Sequence, residues 1–148
     1  PRTAAHVLGS PDYLERCGTP AHPHQLLHHS CVCFRHASSG QIERWSFNRA
    51  EESIELAVTG RYIVNDSASL VQAALDGVGL IYMVNGYIER FIAEGRLVRL
   101  LEDWSPELPG LCLYYSSRKR APAKLRALID FLRAEKSGAS TSVEGWIR

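Results

Sequence analysis

The hydrophobic pattern changes period along the chain, and the changes mark out its elements. The opening apolar stretch HVLG leads into Ser10 and Pro11, which predicts a short strand, a turn and a helix. Ser10 suits an N-cap, where its hydroxyl can accept an otherwise unpaired backbone N–H. Pro11 suits the first helical position, and Gly18 falls just past the end. The stretch TPAHPHQLLHH is punctuated by prolines and predicts a connection with one helical turn. CVCFRH, ERWSFN, SIELAV and RYIVN then read as four short strands, the last two separated by a hairpin-like break at Thr59 and Gly60.

The period then shifts. Leu70, Val71, Ala74 and Leu75 recur at helical spacing, with Asp66 or Ser67 at the cap and Gly77 at the stop. VGLIYMV predicts a strand of the fully buried type. Ile88, Phe91 and Ile92 supply the apolar face of the next helix, which Gly95 ends, and RLVRLL reads as another strand. A Pro-rich loop is expected over residues 104–110, followed by a last strand, LCLYYS. Pro122 opens an amphipathic helix with Leu125, Leu128, Ile129 and Leu132 at i, i+3, i+4 and i+7. That face should pack on the rest of the chain or on another copy, because so much apolar surface is not left in water. Residues 137–148 form a polar tail that ends in Trp146 and Ile147, both expected to dock. Strands alternating with helices predict an α/β fold, a mixed sheet flanked by helices.

Composition narrows the function. The 148 residues carry a formal net charge of +1, with 45% hydrophobic and 22% charged positions. That is the profile of a globular chain able to bury a core, not of a strongly basic nucleic-acid binder. No apolar run approaches the roughly 18 residues a membrane span requires, so no membrane partner is expected. Cys17, Cys31, Cys33 and Cys112 are irregularly spaced. They suit buried thiols in a reducing compartment, hence a cytoplasmic protein.

The order of motifs resembles a known family. Ser10, Pro11, Tyr13, Leu14, Gly18, Pro20, Leu26, His29 and Cys31 match, in sequence, the Ser-Pro-x-Tyr-Leu, Gly-x-Pro and Leu-x-x-His-x-Cys run of LysR-type transcriptional regulators. Trp45 and Phe47 resemble the family's Trp-x-Phe strand. VNDSASLVQAALDGVGLIYMV resembles its Asn-Asp cap, helix and Gly-x-Gly, and EGRLVRLLEDWSP and PAKLRALIDFL follow in order. The resemblance covers residues 7–136.

It implies a type II periplasmic-binding-protein-like architecture, in which two α/β lobes close on a small molecule. Residues 1–111 would then be the second effector-binding lobe, with a hinge strand at its start. Residues 112–136 would be a return strand and helix of an incomplete first lobe, and residues 137–148 the tail. The opening half of the first lobe and the winged helix-turn-helix that binds DNA are both expected to lie outside this sequence. The implied partners are a small-molecule effector, with an anion as one candidate class, and further copies of the chain as a homodimer or larger oligomer. DNA would be met only through the absent N-terminal domain. The alternative reading is a type II solute-binding protein of a transport system.

Candidate chemistry begins with Gly77 and Gly79. A dinucleotide fingerprint sets its glycines after a strand and before a helix, where the helix N-terminus meets phosphate. Here the helix comes first, so Gly77 reads as a helix stop and Gly79 as a place where helix and strand pack. The partial negative charge of a helix C-terminus also disfavours phosphate. The other end of that helix, at Asp66, Ser67 and Ser69, carries free N–H groups and hydroxyls suited to a ligand. Plain capping competes for the same groups, Asp66 above all. The resemblance places this helix start at the effector cleft.

Strand ends supply further candidates: Arg35, which could pair bidentately with a carboxylate, Val84 with Asn85, and Ser10. His22, His24, His28 and His29 cluster, but the flanking prolines shorten any helix and no Cys or acid completes a zinc set nearby, so no metal is expected. No cofactor and no enzymatic activity are expected either, since neither Gly-x-Ser-x-Gly nor a carboxylate pair stands out.

Overall fold

The computed structural model describes residues 3–84, 88–105, 107–108, 124, 127 and 131. Thr3–Leu108 forms one compact unit, and Pro1–Arg2 with Pro109–Arg148 make up the other. In the second unit Lys124, Ala127 and Phe131 are helical and exposed, within the stretch where Pro122 predicts a helix. Leu125, Leu128, Ile129, Leu132, the LCLYYS segment, Trp146 and Ile147 lie outside the described residues.

The larger unit contains strands β1 (Thr3–Gly9), β2 (Val32–Phe34), β3 (Trp45–Arg49), β4 (Glu52–Leu56), β5 (Tyr62–Val64), β6 (Ile81–Val84), β7 (Val98–Leu100) and β8 (Glu107–Leu108). Its helices are α1 (Pro11–Cys17), α2 (Ser67–Leu75) and α3 (Glu89–Ala93), with short 3-10 turns at Pro23–His28 and Glu102–Trp104. β1 lies between β6 and β7, antiparallel to both. β5 runs parallel to β2, and a parallel bridge from Cys31 to Leu80 joins β2 to the start of β6. The pairings therefore run β5–β2–β6–β1–β7.

Side-chain alternation across this sheet feeds two cores, because successive strand residues point to opposite faces. Val7, Cys31, Cys33 and Leu80 pack with Tyr13, Leu26, Trp45, Phe47, Ile54, Leu56 and Trp104. Their neighbours Leu8, Val32 and Ile81 pack with Leu70, Val71 and Ala74 of α2 and with Ile88 and Phe91. Both faces are covered, so these strands read as apolar runs.

Three expectations are corrected. SIELAV and RYIVN do not form a hairpin. β4 pairs with β3 and β5 with β2. The residue at the supposed hairpin, Gly60, sits where the chain crosses β2: a Cβ there would lie 1.8 Å from the Cys31 carbonyl oxygen, so only glycine fits. The strand in VGLIYMV is not fully buried, since burial fades along β6 and Val84 is 40% exposed. The Pro-rich loop contains β8, which pairs with Thr3 and Ala4 of β1. Gly79 is also refined. A Cβ there would lie 2.4 Å from the Ser30 carbonyl oxygen, so the tight approach is between two sheet segments and not between helix and strand.

Candidate functional site

β2, β5 and β6 point the same way, so their carboxyl ends (Phe34, Val64 and Val84) share one edge of the sheet. The start of β1 joins them there, with Ala5 opposite Val84. Such edges are where open α/β sheets present ligand-binding surfaces. α2 starts three residues after β5, at this same edge.

A recess of about 220 Å³ opens at this edge, lined by Phe34, Glu43, Ser67, Leu70, Tyr82, Met83 and Val84. Each lining group has a structural cause. Phe34 closes β2, and Ser67 and Leu70 share a face of α2 at i, i+3 spacing. Tyr82, Met83 and Val84 are the last three residues of β6. Glu43 arrives by a chain reversal: the Arg35–Ile42 bridge and the Glu43 N–H donated to the Phe34 carbonyl at 2.8 Å set Phe34 opposite Glu43. Alternation then puts Phe34 and Glu43 on one face and Arg35 and Ile42 on the other.

The polar groups differ in how far they are committed. Tyr82 donates its hydroxyl proton to the Ser46 carbonyl at 2.8 Å and stacks on Trp45, with centroids 5.4 Å apart. Burial pushes its phenol up to about 12, and the Glu43 carboxylate adds to the rise. Burial also raises the Glu43 carboxyl above its ordinary value of 4.5, opposed by the charge of His36. The site is thus an apolar recess with one half-buried carboxylate and one helix-start hydroxyl.

The predicted site residues divide. Ser67 and Val84 line the recess. Asp66 and Ser69 stand beside it but are occupied with each other: the Asp66 carboxylate accepts the Ser69 N–H at 2.8 Å. That bond, with the Ser69 hydroxyl and then the Ala68 N–H assisting, holds the Asp66 carboxyl below its usual range. Arg35 is exposed, its N–H goes to the Val64 carbonyl at 2.7 Å, and it does not line the recess.

Ser10 lies elsewhere. It is 3% exposed and caps α1, accepting the Tyr13 N–H at 3.3 Å. β1 runs antiparallel to β6, so the end of β1 that leads into Ser10 lies at the opposite edge from Val84. Asn85 falls outside the described residues.

Among the histidines, His29 Nδ1 lies 3.1 Å from the Tyr13 hydroxyl, and His22 packs edge-on to Trp104 at 4.8 Å. Sequence reasoning missed Glu43, Phe34, Tyr82 and Met83 as lining residues and took Leu70 for core alone. A β2 that ends at Phe34 and a cross-strand count back from Ile42 would have found Glu43, but that bridge carries no local signature.

Comparison with known proteins agrees with this architecture. Residues 2–137 match the LysR substrate binding domain. The chain is 39% identical over 127 residues to an uncharacterized HTH-type transcriptional regulator, YcaN, of Escherichia coli K12, across 86% of the chain and 41% of that protein. It is 32% identical over 105 residues to a putative LysR family substrate binding domain-containing protein, YagP, of the same organism, across 71% of the chain and 77% of the relative. Among solved structures, the regulatory domain of a C227S variant of AphB from Vibrio vulnificus superposes with a TM-score of 0.70 at 25% identity, over 90% of this chain and 66% of that one. The chain spans about two fifths of the length of its HTH-type relative. The fold is the periplasmic-binding-protein-like α/β fold of LysR regulatory domains, and the chain belongs to the LysR substrate-binding domain family.

Proposed function

We propose that this chain is the effector-sensing part of a LysR-type transcriptional regulator acting in the cytoplasm, with DNA contacted by a separate segment of the full regulator. The observation that carries the reading is the recess at the carboxyl edge of β2, β5 and β6, beside the start of α2. It combines an apolar lining with a few polar groups, which is the composition of small-molecule sites. Its role is binding, not turnover. Thr3–Leu108 would be one lobe of the sensor and β1 its hinge strand, and residues 112–136 would belong to the other lobe. An effector that binds one arrangement of a self-associated regulator better than another would shift their populations and so its DNA contacts.

A thermal-shift screen of small molecules tests this. Effectors raise the melting temperature of the chain by mass action, and Met83→Trp, which fills the recess, removes that rise. Stabilisers that act equally on the filled variant would place the binding site elsewhere and overturn the reading.

A further inference from the structure

The chemistry of the recess narrows what it can take. Among the described residues its lining holds no cationic side chain: Arg35 projects from the other face, and the basic group beside it is His36, whose ring packs edge-on to Phe34 at 5.5 Å. The helix start at Ser67 offers little to an anion, because Asp66 already occupies the Ser69 N–H at 2.8 Å and adds its own negative charge. The Tyr82 proton is committed to the Ser46 carbonyl. What remains is the Glu43 carboxylate, between the apolar surfaces of Phe34, Leu70 and Met83; the charge of His36 acts on it, but it forms no hydrogen bond or ion pair among the described residues. An ionised carboxylate only accepts hydrogen bonds, and beside an apolar wall a donor that carries positive charge makes the stronger bond. The volume of about 220 Å³ is below the roughly 300–1,000 Å³ of drug-sized sites, which suits a small molecule.

We infer that the recess selects a small amine, an apolar body bearing a protonated nitrogen, with Glu43 receiving that nitrogen and Ser67 beside it. This rests on the recess being the effector site. It replaces the anion that Arg35 and the helix start had suggested with a cation.

Three probes with the same ring and different heads test it: benzylamine, benzyl alcohol and benzoate. Met83 is the only methionine in the sequence, so its methyl resonance reports on the recess in the 148-residue chain. Benzylamine is expected to move that resonance and to bind about tenfold more tightly than benzoate. Glu43→Gln, which keeps shape and removes charge, is expected to erase that preference while benzyl alcohol binds as before. Benzoate binding as tightly as benzylamine at Met83 would overturn the amine assignment and leave the recess as the effector site. A preference that survives Glu43→Gln would do the same. Silence of the Met83 resonance with all three probes would overturn both. The unmutated chain alone decides between the heads, so the test does not hang on the variant folding.

Discussion

Two helix starts in this chain follow one local grammar and end with different roles. α1 and α2 each follow a strand and begin with a side-chain oxygen that accepts the N–H three residues on: Ser10 from Tyr13 and Asp66 from Ser69. At α1 the cap is buried, and the space around it is filled by its neighbours. Arg16 donates to the Gly77 carbonyl at 2.8 Å, and Tyr13 accepts the Ser30 N–H at 3.0 Å. At α2 the cap is exposed and the next residue, Ser67, faces the recess. The difference comes from the sheet. β1 runs antiparallel to β6, so α1 starts at the edge where β6 begins and α2 at the edge where β6 ends. Capping is a local device. Whether a capped end becomes a seam or a site depends on which edge the topology gives it.

Substitutions at the α1 edge should act on stability, and those at the α2 edge on ligand response. Of the substitutions compared, the largest effect is expected at Gly79, where a Cβ meets the Ser30 carbonyl oxygen at 2.4 Å. Gly79→Ala should cost on the order of 3 kcal/mol in urea unfolding, because backbone meets backbone and neither yields cheaply. A wild-type midpoint would show that this seam is soft. Next comes Ser10→Ala, which strips a buried cap and should cost about 1–2 kcal/mol while leaving ligand-induced stabilisation intact. If ligand response vanished in an otherwise folded Ser10→Ala chain, the division between the edges would fail. Ser67→Leu is the converse. Its effect on stability should stay within about 0.5 kcal/mol, yet it should abolish the thermal shift caused by recess ligands, since the larger side chain intrudes on the space they need.

The smallest effect is a matter of pH. Burial raises Glu43 above its ordinary 4.5 in the folded chain. Between that value and the raised one the native state holds more protons than the unfolded state, so this group's contribution to stability falls as pH rises through the window. Asp66, held low by Ser69, has the opposite sign: its contribution is present above the unfolded value and lost as pH falls through the folded one. Glu43→Gln should therefore gain stability relative to the parent as pH rises from about 4 to 7. Parallel stability curves for the two chains over that range would mean that the Glu43 carboxylate sits in water and not against the recess wall.

Much of the fold was legible because its signals are local. Ser10, Pro11 and Gly18 delimit α1 as expected. Asp66 and the spacing of Leu70, Val71 and Ala74 delimit α2, and Gly77 takes the positive φ of 67° that a helix stop calls for. The ordered motifs from Ser10 onward also named the family, and Ser67, a candidate from the helix start, lines the recess.

What the sequence determined by itself is therefore what residues three or four apart can settle: helix limits, strand period and the motif order that identifies a LysR substrate-binding domain. The tertiary structure alone decided strand partnership and site membership. β4 joined β3 and β5 joined β2 because Gly60 lets the chain cross at the Cys31 carbonyl, a contact between residues far apart in sequence. Arg35 turned away from the recess and Glu43 into it because one cross-strand register assigns opposite faces to neighbouring residues. A shift of one residue would exchange them, and no local pattern in the chain records which register holds.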